Sequence, residues 1–378
     1  MRKTTCFALY YLLAGGTTLA QPTEVVPGSP RWFFNIVTAE PPAAITTPGD
    51  ALYLQSLHAV GRHDLHAALP TRPIRAAPCE RWPTRTDDGA GSIASALAAL
   101  ARDTTIVIIN ERHDESRHRE VVRQLAIELH REGYVNYAAE TLIDSAAAYP
   151  DEPFARLDAG FYSREPTFGQ LLRTVKELGL RLVAYEHGDA PSQAAREQGQ
   201  TDNLMREIFS VEPHAKTLIH VGADHAAEVA LPRAGGELEW MAARLKAATG
   251  VDPLTIDQTR CVSTSDALEL ARSSTALPPG AFDVAVAHPS TTFFRGRPQW
   301  RIDAGAIAVE LPETLVVTDQ RTLIEVRFDA EPPDTVPLDR LMLWPGERLP
   351  LLVSPGRLRV QQYFEDGRAP RTLVLNVQ

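Results

Sequence analysis

The chain has 378 residues, 44% hydrophobic and 23% charged, with a formal net charge of −10. That is enough chain for one large or two medium domains with a sizeable core. The acidic balance argues against a general nucleic-acid role, because phosphate binding wants a basic surface. No apolar run beyond the N-terminus approaches the ~20 residues of a membrane span.

Residues 1–20 read as a secretory signal. Arg2 and Lys3 form the positive region, Cys6–Gly16 the short apolar region, and Thr18-Leu19-Ala20 a small-residue cleavage site. The protein is therefore expected to be exported, periplasmic or secreted, with cleavage near Ala20 and no membrane span in the mature chain. Two cysteines then remain, Cys79 and Cys261, and an even pair in an oxidising compartment predicts one disulfide.

Residues 21–91 form an N-terminal extension rich in Pro and Thr. Trp32–Val37 reads as a strand. Ala51–Ala68 reads as helical, and His58, His63 and His66 within it read as solvated, because their spacings do not share one helical face. Thr86–Gly91 reads as a loop, and Ser92–Arg102 as a helix.

From Thr104 the pattern alternates. Strand Thr105–Ile109 leads to helix Glu115–Arg131, with Val121, Leu125 and Leu129 on one face, Asp114 as N-cap and Gly133 as stop. Strand Tyr134–Ala139 follows, then a longer insertion over 144–166. Helix Thr167–Leu178, strand Leu180–Tyr185, helix Gln193–Phe209 and strand Thr217–Val221 come next. Gly235–Thr249 reads as helix and Pro253–Asp257 as strand. Residues 263–280 read as loop with a short helical piece, and Phe282–Ala287 as a last strand. Alternating elements predict an α/β fold, a mostly parallel sheet flanked by helices, over 92–300. Residues 301–378 carry short β-like runs, among them Ala306–Leu311, Thr314–Val317, Leu323–Phe328, Leu351–Val353 and Arg357–Tyr363. They predict a small C-terminal all-β appendage without a catalytic cluster.

No GxGxxG, Walker or GxSxG pattern occurs, which removes dinucleotide, P-loop and ordinary serine-hydrolase readings. What remains is a run of ionisable residues at strand ends. Glu111 and His113 follow the first strand, Glu140 the second, Glu186 the third, and His225 the fourth. Open α/β sheets build their sites at this edge, and several ionisable groups at the ends of apolar runs are costly without a task. Gly222 allows a sharp turn before His225, with positive φ where needed. His220 reads as packing or as support, and Asp224 as exposed or as orienting a neighbour. Arg196 and Asn203 are seven residues apart on one helical face. Arg196 there suits either a substrate anion or Glu186.

Together, Asn110-Glu111-Arg112-His113, Glu140, Arg196 and Gly222-Ala223-Asp224-His225 resemble a superfamily. It groups the erythromycin-esterase-like proteins, the ChaN-type haem-binding lipoproteins and the Tiki/TraB proteases. The resemblance covers roughly residues 100–260. It departs at Asn110, where the family pattern has Gly; Asn tolerates a left-handed backbone better than most residues. The resemblance implies a hydrolase of an ester or amide, on a small-molecule or peptide substrate, with Glu111, His113, Glu140, Glu186, Arg196 and His225 as site residues. By the esterase-like members, His113 activates water, a Glu orients it, and Arg196 or His225 stabilises the oxyanion. By the Tiki-like members, His113, His225 and Glu111 or Glu140 hold a divalent metal such as Zn or Mn. By the ChaN-like members the alternative is a periplasmic haem or small-ligand binding protein.

Overall fold

The computed structural model describes residues 25–38, 42, 47–69, 77–83, 92–144, 151–233 and 235–378. The expected signal segment and the loop Thr86–Gly91 lie outside the described residues.

Seven strands form the central sheet. Their order is Glu269–Ala271, Val284–Ala287, Leu254–Asp257, Ile106–Glu111, Thr217–Gly222, Asn136–Ala139 and Arg181–Ala184. All neighbours are parallel except the antiparallel edge strand Glu269–Ala271. The central strand is buried along its whole length, as apolar runs in a sheet covered on both faces must be. Helices Arg117–Arg131 and Pro166–Glu177 cover one face through Val122, Leu125, Leu129, Phe168 and Leu171. On the other face, Leu204 of helix Gln193–Leu204 and Met241 and Leu245 of helix Met241–Thr249 close the core. Each such side chain, fully buried, contributes about 1.5–3 kcal/mol. Register then does the converging: Glu111 pairs with Gly222, and Ala139 with both His220 and Ala184. The residues that follow these pairs emerge side by side at the C-terminal edge.

The C-terminal part is a four-stranded antiparallel sheet, in the order Asp339–Leu343, Thr322–Phe328, Gly356–Phe364, Arg371–Val377. It is packed into the body. Phe33, Phe34, Leu54 and Leu57 from the N-terminal helices share a cluster with its Leu323 and Met342. On the α/β side, Arg173 reaches Glu331 at 2.7 Å and Gly169 lies against Val336. Among the described residues no helix is long and apolar enough to cross a membrane.

Several expectations need correction. Trp32–Val37 is not a strand. Pro30–Ile36 is a helix, because Ser29 caps it from outside (Trp32 N–H to Ser29 Oγ, 3.3 Å) and Pro30 suits its first turn. His58 and His63 are not solvated; they are 3% and 4% exposed. They sit in separate helices, Pro48–Ala59 and His63–Ala68, so a one-helix spacing test missed their meeting. Asp114 does not cap the helix that follows. It pairs with Arg112 at 2.6 Å, and the helix starts at Arg117 after Ser116. Helix Gln193–Leu204 ends in a wider turn, Met205–Phe209. Residues Gly236–Leu238 are strand, and only Met241–Thr249 is helix, stopped by Gly250 at φ +70°. Residues 263–280 hold strand Glu269–Ala271 instead of a helical piece, and Glu313–Leu315 is a 3-10 turn. Strand Asp339–Leu343 was not foreseen. It carries Asp339 and Arg340, whose charges hide a fully buried strand from a hydropathy reading.

Cys79 and Cys261 are joined in a disulfide. It ties Ala77–Pro78, in parallel pairing with Cys261–Val262, to the segment just past the sheet strand Leu254–Asp257.

Candidate active site

The expected residues Glu111, His113, Glu140, Glu186, Arg196 and His225 meet in one network at the C-terminal edge of the sheet. Glu111 ends the central strand. Arg119, two residues into the following helix, grips it with two bonds, Nε to Oε2 and Nη2 to Oε1, both 2.8 Å. Glu165 holds Arg119 from the other side at 3.1 Å. Burial works against a charge on Glu111, but Arg119, with His220 and His113, outweighs it and holds the carboxyl well below the usual range. An ionised carboxylate only accepts hydrogen bonds. The 2.9 Å contact of His113 Nδ1 with Glu111 Oε1 therefore assigns a proton to Nδ1, so that in the neutral tautomer Nε2 carries the lone pair. Tyr162 stacks on the His113 ring at 3.7 Å. His220 Nε2 lies 3.1 Å from Glu111 Oε2, and its Nδ1 2.8 Å from Tyr137 Oη.

Glu140 stands across from this pair. Its Oε2 accepts the Gly222 N–H and its Oε1 accepts Arg196 Nη2, both at 2.5 Å. Burial raises its carboxyl, but His225, His113 and Arg196 together pull it down to about 2. Gly222 owes its place to room, not to positive φ: its φ is −83°. A Cβ there would lie 2.8 Å from His113 Nε2 and 3.0 Å from Glu140 Oε2. The left-handed twist falls on Ala223, at φ +23°. Asn110 is not left-handed either. It is fully buried and stitches strand ends, donating to Ala223 O and Asp257 and accepting from Gln258 N–H.

Arg196 is the hub of the second half. It donates through Nε and Nη2 to Glu186 and through Nη2 also to Glu140, and its Nη1 lies 3.1 Å from His225 Nε2, which accepts from it when the ring is neutral. Asn203, on the same helical face, donates to the carbonyls of Tyr185 and Glu186. His225 Nδ1 sits 2.8 Å from Glu197 Oε2, on a carboxylate that also accepts Met241 N–H and is fully buried. Burial lowers the His225 imidazole, and Glu140 and Glu197 outweigh it, so the ring is raised from its ordinary value. Asp224 orients a neighbour, Arg260.

The centre is thus two imidazoles, each held at Nδ1 by a buried glutamate, with both Nε2 atoms turned toward Glu140. His113 and Arg196 keep 22% and 26% of their side-chain surface open. A groove of about 1090 Å³ runs beside the edge strand Arg181–Ala184; Glu186 and Asn203 line it, whereas His113, Glu140, Arg196 and His225 do not. Glu197, Arg119 and Tyr162 were not foreseen. Glu197 adjoins Arg196 in sequence, but nothing local says that it meets a histidine 28 residues on.

The donors assigned to a divalent metal do not fit one as arranged. Arginine occupies Glu111, both His225 nitrogens are engaged, and among the described residues no group of three or more His, Cys, Asp or Glu is placed to hold an ion.

No family model matches the sequence, and no curated protein matches it. Solved structures with partial likeness include bacterial toxins and a type III effector. The type III effector HopBA1 is 14% identical, with a TM-score of 0.38, over 58% of this chain and 100% of that one. RRSP, a MARTX toxin effector domain from Vibrio vulnificus, is 15% identical, with a TM-score of 0.31, over 46% and 40%. The C-terminal region of Pasteurella multocida toxin, described with a thiol-protease-like catalytic triad, is 10% identical, with a TM-score of 0.32, over 76% and 49%. The chain spans only 37% of the length of another bacterial toxin it resembles. Likeness at this level carries no functional argument.

Proposed function

We propose that this chain is an exported hydrolase of ester or amide bonds, of the type that the motif resemblance suggests, with His113 as the general base. One observation carries the reading: Glu111 fixes the His113 ring at Nδ1 while Nε2 faces the partly open centre beside Gly222. Nε2 takes a proton from water, and the hydroxide oxygen bonds to the substrate carbonyl carbon. Glu111 stabilises the imidazolium so formed. Arg196, with one Nη1 hydrogen beyond the His225 bond, faces the carbonyl oxygen as it becomes an oxyanion. Collapse breaks the bond to the leaving oxygen or nitrogen, which takes the proton back from His113. His225, held by Glu197, keeps Arg196 in place. The Cys79–Cys261 bridge supports an oxidising compartment.

The test is turnover of a panel of aryl esters, alkyl esters and peptides by the purified protein and by His113→Ala and His225→Ala. The expected result is loss of turnover in both variants with unchanged circular dichroism. Full activity in both would overturn the assignment.

A further inference from the structure

The N-terminal helices reach the loop that carries His113 through a buried histidine cluster. Ser116, three residues past His113, is fully buried. Its Oγ lies 2.8 Å from His63 Nε2 and 3.1 Å from His58 Nδ1, and its N–H donates to His58 Nδ1 at 3.2 Å. His58 Nε2 lies 2.6 Å from His66 Nδ1, and His66 Nε2 lies 3.9 Å from Asp114. Arg119, in the next turn, donates to the His113 carbonyl at 3.1 Å, so the loop is held at both ends.

The chemistry fixes the tautomer. An amide N–H only donates, so His58 Nδ1 is a lone pair and the ring proton sits on Nε2, aimed at His66. A second proton would land on Nδ1 and set two donors against each other. The surroundings add to this. His58 faces His63, His66, Arg119 and Arg112, and His63 faces Arg301, Arg297 and His66. The nearby acids give little relief: Asp114 is paired with Arg112, and burial pushes the Glu115 carboxyl up. Burial first, and these neighbours after it, hold both imidazoles well below the ordinary value of 6.5.

We infer that His58, His63 and Ser116 are positioning residues, a latch that seats the His113 loop at neutral pH and lets it go in acid. The catalytic half of this rests on the proposed hydrolysis; the latch itself does not. The sign follows from the two neutral rings. Above 6.5 neither folded nor unfolded chain is protonated and the latch is fully held. As pH falls below 6.5 the released state takes up protons that the docked state refuses, and the latch weakens.

The experiment is hydrogen exchange at pH 7.5 and 5.0, expressed as protection corrected for the intrinsic rate. Residues 50–66 and 112–118 should lose about tenfold or more of their protection at pH 5.0, while Thr322–Phe328 keeps its own. The double variant His58→Asn with His63→Gln retains acceptors near Ser116 and cannot titrate there. It should keep the protection of residues 50–66 at both pH values and, where turnover is measurable, flatten the acid limb of kcat/KM; residues 112–118 still hold His118, whose Nδ1 accepts the Arg112 N–H and whose buried imidazole is likewise held well below its ordinary value. Equal protection of the wild type at both pH values overturns the latch, as does an undiminished acid loss over residues 50–66 in the double variant. Should the double variant fail to fold, His58→Asn alone decides by the same criterion. Absence of turnover on every substrate defeats the hydrolase reading and leaves the exchange result to judge the latch.

Discussion

Glu140 and Glu325 are both buried carboxylates held down to about 2 by cations, one at the edge of the parallel sheet and one inside the C-terminal sheet. Their partners differ. Glu325 is closed off by two buried arginines, Arg327 at 2.8 Å and Arg340 at 2.7 Å. Glu140 meets a glycine amide, an arginine a quarter exposed, and two imidazoles whose own Nδ1 atoms are fixed by other glutamates. Equal perturbation therefore does not mean equal purpose. An arginine–carboxylate cluster sealed from water fixes packing. A carboxylate held ionised beside two oriented imidazoles, with one side open, sits where the proposed reaction has His113 move the proton.

The sharpest way to break that comparison is to disable each region and read both activity and stability. His113→Ala should cost about a thousandfold in kcat/KM with little change in the urea midpoint. Glu325→Gln should do the reverse, leaving kcat/KM intact and removing about 3–5 kcal/mol of stability by stranding Arg327 and Arg340. If Glu325→Gln silenced turnover in a folded protein, the division would collapse. Next in size is the disulfide. Cys79→Ser should cost about 2–5 kcal/mol in oxidising buffer and nothing under reductant, and equal midpoints in the two buffers would remove its structural role.

Acid should not separate the two carboxylates. Each has a folded value of about 2 against 4.5, so each contributes stability above 4.5 that is lost as pH falls toward 2, about 3 kcal/mol apiece. Glu140→Gln and Glu325→Gln should therefore flatten the acid limb of the stability curve alike; a response confined to one variant would show that the likeness is only apparent. His225 has the opposite sign. Its raised value gives stability below 6.5 that fades as pH rises through the folded value. The smallest effect expected is Glu197→Gln, on the order of tenfold in kcat, because in the proposed reaction His225 acts only through Arg196. A pH profile for Glu197→Gln that overlays the wild type would show that Glu197 does not set the His225 proton.

The residues of the centre were legible because each follows an apolar run. Glu111, Glu140, Glu186 and His225 stand at or just past strand ends, and parallel pairing puts successive strand ends on one edge. Gly222 was legible as a glycine and misread in its reason, since room beside His113 is a tertiary fact while φ is a local one. Glu197, Arg119 and Tyr162 left no local mark. Each reaches its partner only after a helix or an insertion has folded over the sheet.

The sequence by itself determined the alternating elements, the helix stops, the chemistry at the strand ends and the disulfide pair, because periodicity, turn residues and cysteine number act over a few residues or by count. The tertiary structure alone decided which glutamate orients which histidine, why Asn110 stands where it does, and that His58 and His63 are buried. Those facts depend on contacts between segments far apart in the chain. His58 and Ser116 are 58 residues apart and meet only because two short helices dock on the loop after the central strand. No pattern within one helix encodes such a meeting.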